Sequence, residues 1–160
     1  ITVICVIALV SAAAAQDDPA GTTGRSSASS HGKFGIGVIV GEPTGLSGKM
    51  WESQSTAFDI GLAWSFSGSG HFHIHGDYLF HRFSVFNVSE GSLPLYFGIG
   101  GRILLRDNAD DKIGVRIPVG IEYFFEGAPI AVFGELVPIL DLAPDTDFEI
   151  NGGLGVRFYF

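Results

Sequence analysis

Between Thr56 and Phe66 the even positions are Thr56, Phe58, Ile60, Leu62, Trp64 and Phe66, and the odd ones are Ala57, Asp59, Gly61, Ala63 and Ser65. One set is bulky and mostly apolar; the other is small or charged. A strand turns successive side chains to opposite faces, whereas a helix returns to one face every three or four residues. This segment is therefore a two-faced strand. The same period of two recurs over 34–40, 46–51, 71–80, 95–106, 113–125, 130–141 and 148–160. Between these runs lie turn-forming stretches such as Glu42-Pro43-Thr44-Gly45, Ser67-Gly68-Ser69-Gly70, Glu126-Gly127-Ala128-Pro129 and Ala143-Pro144-Asp145-Thr146,. All the connections are short enough for antiparallel hairpins, and parallel pairing would need crossovers of a dozen residues or more. The expected fold is all-β: an eight-stranded antiparallel up-and-down barrel over 33–160, closed because closure removes the two exposed edges.

Which face points inward decides what such a barrel is. The interior of an eight-stranded barrel is barely wide enough for side chains to fill. The bulky face carries Phe34, Phe58, Trp64, Phe72, Phe80, Phe97, Phe125, Phe148, Phe158 and Phe160 among many Ile, Leu and Val, and would overfill it. The opposite face is rich in glycine, leaving room for charged side chains to share a narrow core. On that face lie Lys49, Asp59, Asp77, Arg102, Arg106, Arg116, Glu122, Glu135, Glu149 and Arg157. Charges of both signs there form an internal, paired network, because buried charges survive when paired and hydrogen-bonded. The strand centres of the bulky face hold hardly any charge, as lipid exposure requires. The transmembrane form of the barrel is the expectation, with outer-membrane lipid as its surroundings.

Composition agrees. Glycine is 23 of 160 residues, about twice its usual share, while charged residues are 16%, well below the average of about 25%,. A hydrophobic content of 46% excludes a disordered chain, and one cysteine excludes a disulfide scaffold,. A net charge of −8 excludes nucleic acid as a partner, since that demands a basic stripe,.

The N-terminal region is a separate object. Ile1 to Val10 is apolar apart from Thr2, Ser11 to Ala15 is small throughout, and Gln16-Asp17-Asp18-Pro19 is abruptly polar. That is the pattern of a secretory signal peptide spanning 1–15, with cleavage after Ala15. The run is too short to cross a bilayer as a helix. Removal would take away Cys5 and leave a thiol-free chain suited to an oxidising compartment,. Residues 16–32, rich in Ser, Gly, Thr and Asp without periodicity, read as a flexible leader,.

Residues 33–160 resemble the small eight-stranded outer-membrane β-barrels of Gram-negative bacteria, of the OmpA transmembrane-domain and OmpX type. The resemblance rests on architecture and on Gly155-Val156-Arg157-Phe158-Tyr159-Phe160, which is similar to the signal by which the outer-membrane barrel assembly machinery recognises that family. It implies Phe160 as the terminal aromatic of the signal, with Phe158, Val156 and Leu154 as the lipid-facing positions before it. The short loops expected on the outer side depart from relatives that extend theirs to bind receptors or phage.

Few constellations carry chemistry. His71, His73 and His75 form a ladder on one strand face, followed by Asp77 and His81. Alternate strand positions lie about 6.6–7 Å apart, so neighbouring imidazoles are weak candidates to share a metal. The plainer expectation is that they fill the polar interior, with no metal or other cofactor. Ser69 with His71, and His81 with Ser84, are nearby pairs but match no trusted catalytic motif, and the chain is not expected to be an enzyme. Trp51, Trp64, Tyr78, Tyr96, Tyr123 and Tyr159 are candidates for interfacial aromatic girdles,. The expected function is an outer-membrane, porin-like barrel with a polar, side-chain-filled lumen and a structural or interaction role. A narrow channel or transporter, or a soluble lipocalin-like barrel binding a small apolar ligand, are the alternatives.

Overall fold

The computed structural model of the chain describes residues 32–65, 71–107 and 109–160. The expected signal peptide, 1–15, and all of the leader before Gly32 lie outside the described residues.

Nine strand segments follow in order: β1 Phe34–Glu42, β2 Gly45–Trp51, β3 Thr56–Ser65, β4 His71–Arg82, β5 Leu95–Arg106, β6 Lys112–Arg116, β7 Val119–Phe124, β8 Ile130–Ala143 and β9 Asp147–Tyr159. Every pairing is antiparallel, and each of β1 to β4 pairs with its successor in sequence. β1 also pairs with β9, from Gly35 opposite Tyr159 to Glu42 opposite Gly152, which closes the ring. β6 and β7 both lie between β5 and β8, so the nine segments fill eight strand positions. The architecture is an eight-stranded up-and-down barrel.

The expected uninterrupted strand over 113–125 is corrected here. It breaks at Ile117 and Pro118, because proline has no N–H to give the ladder and fixes its own φ,. The wall stays bonded across the break: Ile117 N–H donates to the Pro138 carbonyl (3.0 Å) and Gly98 N–H to the Pro118 carbonyl (2.9 Å).

Side chains divide by parity as a closed sheet demands. Ile36, Ile60, Ile99 and Leu154 are each more than half exposed on the outer wall, with Phe34, Phe58, Trp64, Phe80, Phe148 and Phe158 beside them. The inner wall alternates glycine with bulk. A methyl group on Gly61 would meet the His75 ring at 2.1 Å, and one on Gly155 would meet the Phe133 ring at 2.3 Å, so glycine on one strand makes space for a large side chain on the next. At the end of the ring holding Phe34 and Phe160, the interior is apolar and aromatic. Trp51, Ala57, Phe124, Ala131 and Tyr159 cluster there, with Phe83 packed against them. Ring separations of 6.1 Å for Trp51–Phe124 and 5.4 Å for Phe124–Tyr159 make it a continuous plug. Trp51, Tyr96 and Tyr159 thus point inward and are buried, which corrects their assignment to an interfacial girdle; Trp64 is exposed on the outer wall.

Candidate functional site inside the ring

Above the aromatic plug lies a group of fully buried charges. Lys49 Nζ ion-pairs with Glu122 Oε2 and sits 3.0 Å from His81 Nε2. Arg157 reaches in three directions: Nε donates to Ser47 Oγ (2.9 Å), one terminal nitrogen pairs with Glu122 Oε1 (3.3 Å), and the other pairs with Asp59 Oδ2. Tyr159 Oη donates to Glu122 Oε1 (2.7 Å). The Arg157 guanidinium also lies over the Phe133 ring at 3.7 Å, and the Lys49 ammonium lies 4.9 Å from the Tyr96 ring centre. Taking such charges out of water costs several kcal/mol each unless geometry and extra hydrogen bonds offset it, and here each charge has several partners.

Further toward the open end, Arg116 Nε lies 3.0 Å from Asp77 Oδ1 and its Nη2 lies 3.6 Å from Glu135 Oε1, while Tyr96 Oη donates to Glu135 Oε2 (2.9 Å). Nearest the mouth, Arg102 grips Asp141 with two parallel hydrogen bonds of 3.0 and 2.7 Å and also reaches Glu149 at 2.6 Å. Lys112 joins Asp141, Asp147 and Glu149 at 2.8–3.4 Å.

Of the ten charged residues expected to form the network, Lys49, Asp59, Asp77, Arg102, Arg116, Glu122, Glu135, Glu149 and Arg157 make ion pairs with one another or with their neighbours. Arg106 departs from the set. Its guanidinium bonds to the Asp110 carbonyl in the β5–β6 connection, because it stands at the strand end, where the chain leaves the ring. Asp141, Lys112, Ser47, Tyr96 and Tyr159 belong to the arrangement without having been expected in it, and His81, expected to fill the polar interior, meets Lys49. Inward parity was the signal available for most of them; their partners lie on strands remote in sequence.

His71 and His73 line a cavity of about 220 Å³ at the mouth, with Arg102, Glu149, Glu42 and Asn151. His73 Nε2 and His75 Nδ1 are 3.2 Å apart. His75 Nε2 in turn lies 3.8 Å from Asp59 Oδ1 and 4.0 Å from Asp77 Oδ2. His81 is at the other end of β4, its ring tilted against Trp51 with centres 4.4 Å apart, while Ser84 is exposed, so that pair is not assembled. Ser69 lies outside the described residues. The expected outward positions Leu154, Val156, Phe158 and Phe160 are all exposed along the outer wall of β9 and just beyond it.

No protein-family model matches the chain, and no curated protein matches it. Among solved structures it is similar to the N-terminal β-barrel domain of Pseudomonas aeruginosa OprF, with a TM-score of 0.57 and 16% identity over 79% of this chain and 95% of that one. The likeness establishes the fold: an eight-stranded antiparallel β-barrel.

Proposed function

We propose that this chain is a bacterial outer-membrane β-barrel whose lumen is packed with paired polar side chains, and that its role is structural or interactive and not catalytic. One observation carries the reading. The wall facing outward is a belt of exposed Ile, Leu, Val and Phe on every strand, while the charges are buried inside. That arrangement is the reverse of a soluble barrel and matches a lipid-facing wall around a polar centre. In water the same belt would form an apolar surface far larger than the few hundred Å² soluble monomers show. β4, β5, β8 and β9, at 12 to 14 residues, exceed the ~9–11 needed for a tilted crossing,.

In this reading residues 1–15 direct export and are cleaved, outer-membrane lipid covers the belt, and the exposed Leu154, Val156, Phe158 and Phe160 edge engages the barrel assembly machinery. The decisive experiment expresses the full chain in a Gram-negative host, fractionates the envelope and runs unboiled against boiled samples on an SDS gel. The expected outcome is recovery with outer membranes and a faster-migrating band until boiling. Release into buffer without detergent, with no heat shift, would instead support the soluble, lipocalin-like alternative.

A further inference from the structure

Asp59 on β3 and Asp77 on β4 stand directly opposite each other in register, both almost wholly buried. Two like charges facing across adjacent strands repel, so the pair asks for positive charge between them. One oxygen of each carboxylate lies against an arginine, hydrogen-bonded in Asp59 and in ion-pair distance without a hydrogen bond in Asp77. Asp59 Oδ2 meets Arg157, and Asp77 Oδ1 meets Arg116 Nε at 3.0 Å. The remaining oxygens, Asp59 Oδ1 and Asp77 Oδ2, face a third atom, His75 Nε2, at 3.8 and 4.0 Å. Those separations are too long for hydrogen bonds in either tautomer of the ring. They suit a gap with an ion in it. The three atoms all lie within 4.8 Å of one another. With two separations of 3.8 and 4.0 Å and the third within 4.8 Å, a point equidistant from the three atoms lies at most roughly 2.5 Å from each, a small side-chain adjustment from the ~2.0–2.2 Å of zinc–nitrogen and zinc–oxygen bonds,.

From these contacts we infer that Asp59, His75 and Asp77 form a binding site for one divalent transition-metal ion inside the barrel. The surroundings are those of a supported site. His73 Nε2, 3.2 Å from His75 Nδ1, occupies the ring nitrogen away from the ion, the place where metal-bound histidines take an orienting partner,. Asp59 is oriented by the Arg157 guanidinium in the same way, and the Arg116 guanidinium lies beside Asp77 at ion-pair distance. Gly61, opposite His75 in register, leaves space for the imidazole to lie across β3; a methyl group there would come within 2.4 Å of Nε2 itself. Gly100, paired with Asp77, does the same for the carboxylate, since a methyl group would meet Oδ1 at 2.0 Å. One nitrogen and two carboxylate oxygens favour Zn²⁺, Ni²⁺ or Co²⁺ over soft, thiolate-seeking ions. His73, which touches His75, also lines the mouth cavity, so the cavity ends one side chain from the site.

The test uses the untagged full chain, refolded in detergent and checked by its heat-shifted gel band. Co²⁺ is titrated and read by its visible absorption, Zn²⁺ is measured by displacement of Co²⁺, and bound metal per chain is counted after desalting. One ion per chain is expected, with a Co²⁺ spectrum of mixed nitrogen and oxygen ligation. His75→Gln should weaken binding at least 100-fold and His73→Gln, which removes an orienting contact, about 10-fold. His31→Gln, in the leader, should leave affinity unchanged. Gly61→Ala, which keeps every ligand but displaces the ring, should weaken binding as well. Absence of saturable Co²⁺ uptake by the folded wild-type chain overturns the site, as does equal uptake by folded His75→Gln or loss of uptake in His31→Gln. Should His75→Gln not fold, the wild-type stoichiometry and the Gly61→Ala titration decide the matter by the same criteria.

Discussion

Arg157 ties together residues that the chain spaces far apart: Ser47 on β2, Asp59 on β3, Glu122 on β7 and the Phe133 ring on β8. A planar guanidinium serves such divergent partners because its donors point in fixed, separate directions, which a lysine ammonium cannot reproduce. Arg157→Met removes the cation and leaves Glu122 and Asp59 buried with fewer partners. We expect a loss of about 3–5 kcal/mol in folding stability, measured by urea unfolding in micelles, and Arg157→Lys should recover part of it. A loss below about 1 kcal/mol for Arg157→Met would show that the interior pairs merely offset their own desolvation. Inward direction for this residue was legible from parity alone. Its partners were not, because Arg157 and Asp59 are 98 positions apart and meet through ring closure.

For the strands, the period of two carried most of the information, and its failures are instructive. Along β8 the two faces contrast least in sequence, since Phe133, Val137 and Ile139 take inward positions, and all three are buried inside the ring. An interior filled partly by apolar side chains blurs the contrast between faces. Periodicity tells which face a residue takes but not how high it stands, and so Arg106 passed for a network member while it stands at the rim. Pro118 was the readable warning of a broken strand, since a central strand seldom tolerates proline. The outer face invites a direct trial. Ile60 lies in the middle of β3 and is 53% exposed. Ile60→Arg should cost roughly 2–4 kcal/mol when the barrel is folded into lipid vesicles, the amount set by a cation near the bilayer centre. If the wall faced water, the substitution would be nearly neutral.

Taken whole, the barrel has two unlike ends. Connections 43–44 and 144–146 link strands at the open mouth, where β3 also ends and β4 begins, while the longer 83–94 connection sits beside the aromatic plug. Trp51, Phe124 and Tyr159 close that end, and the Lys49–Glu122–Arg157 group fills the layer above it. A planar-bilayer recording of the wild-type barrel should therefore show no steady conductance. Truncating the plug with Trp51→Ala and Phe124→Ala should leave it low, because the ion pairs above still occupy the passage. Clear single-channel steps from the wild type would favour the narrow-channel alternative.

This asymmetry governs traffic. With one end stoppered by indole and phenyl rings, the interior is a cup and not a pipe: an ion held within would enter and leave by the same mouth. Narrowing that rim slows filling and emptying by the same factor, so occupancy at rest stays constant while the time to reach it lengthens.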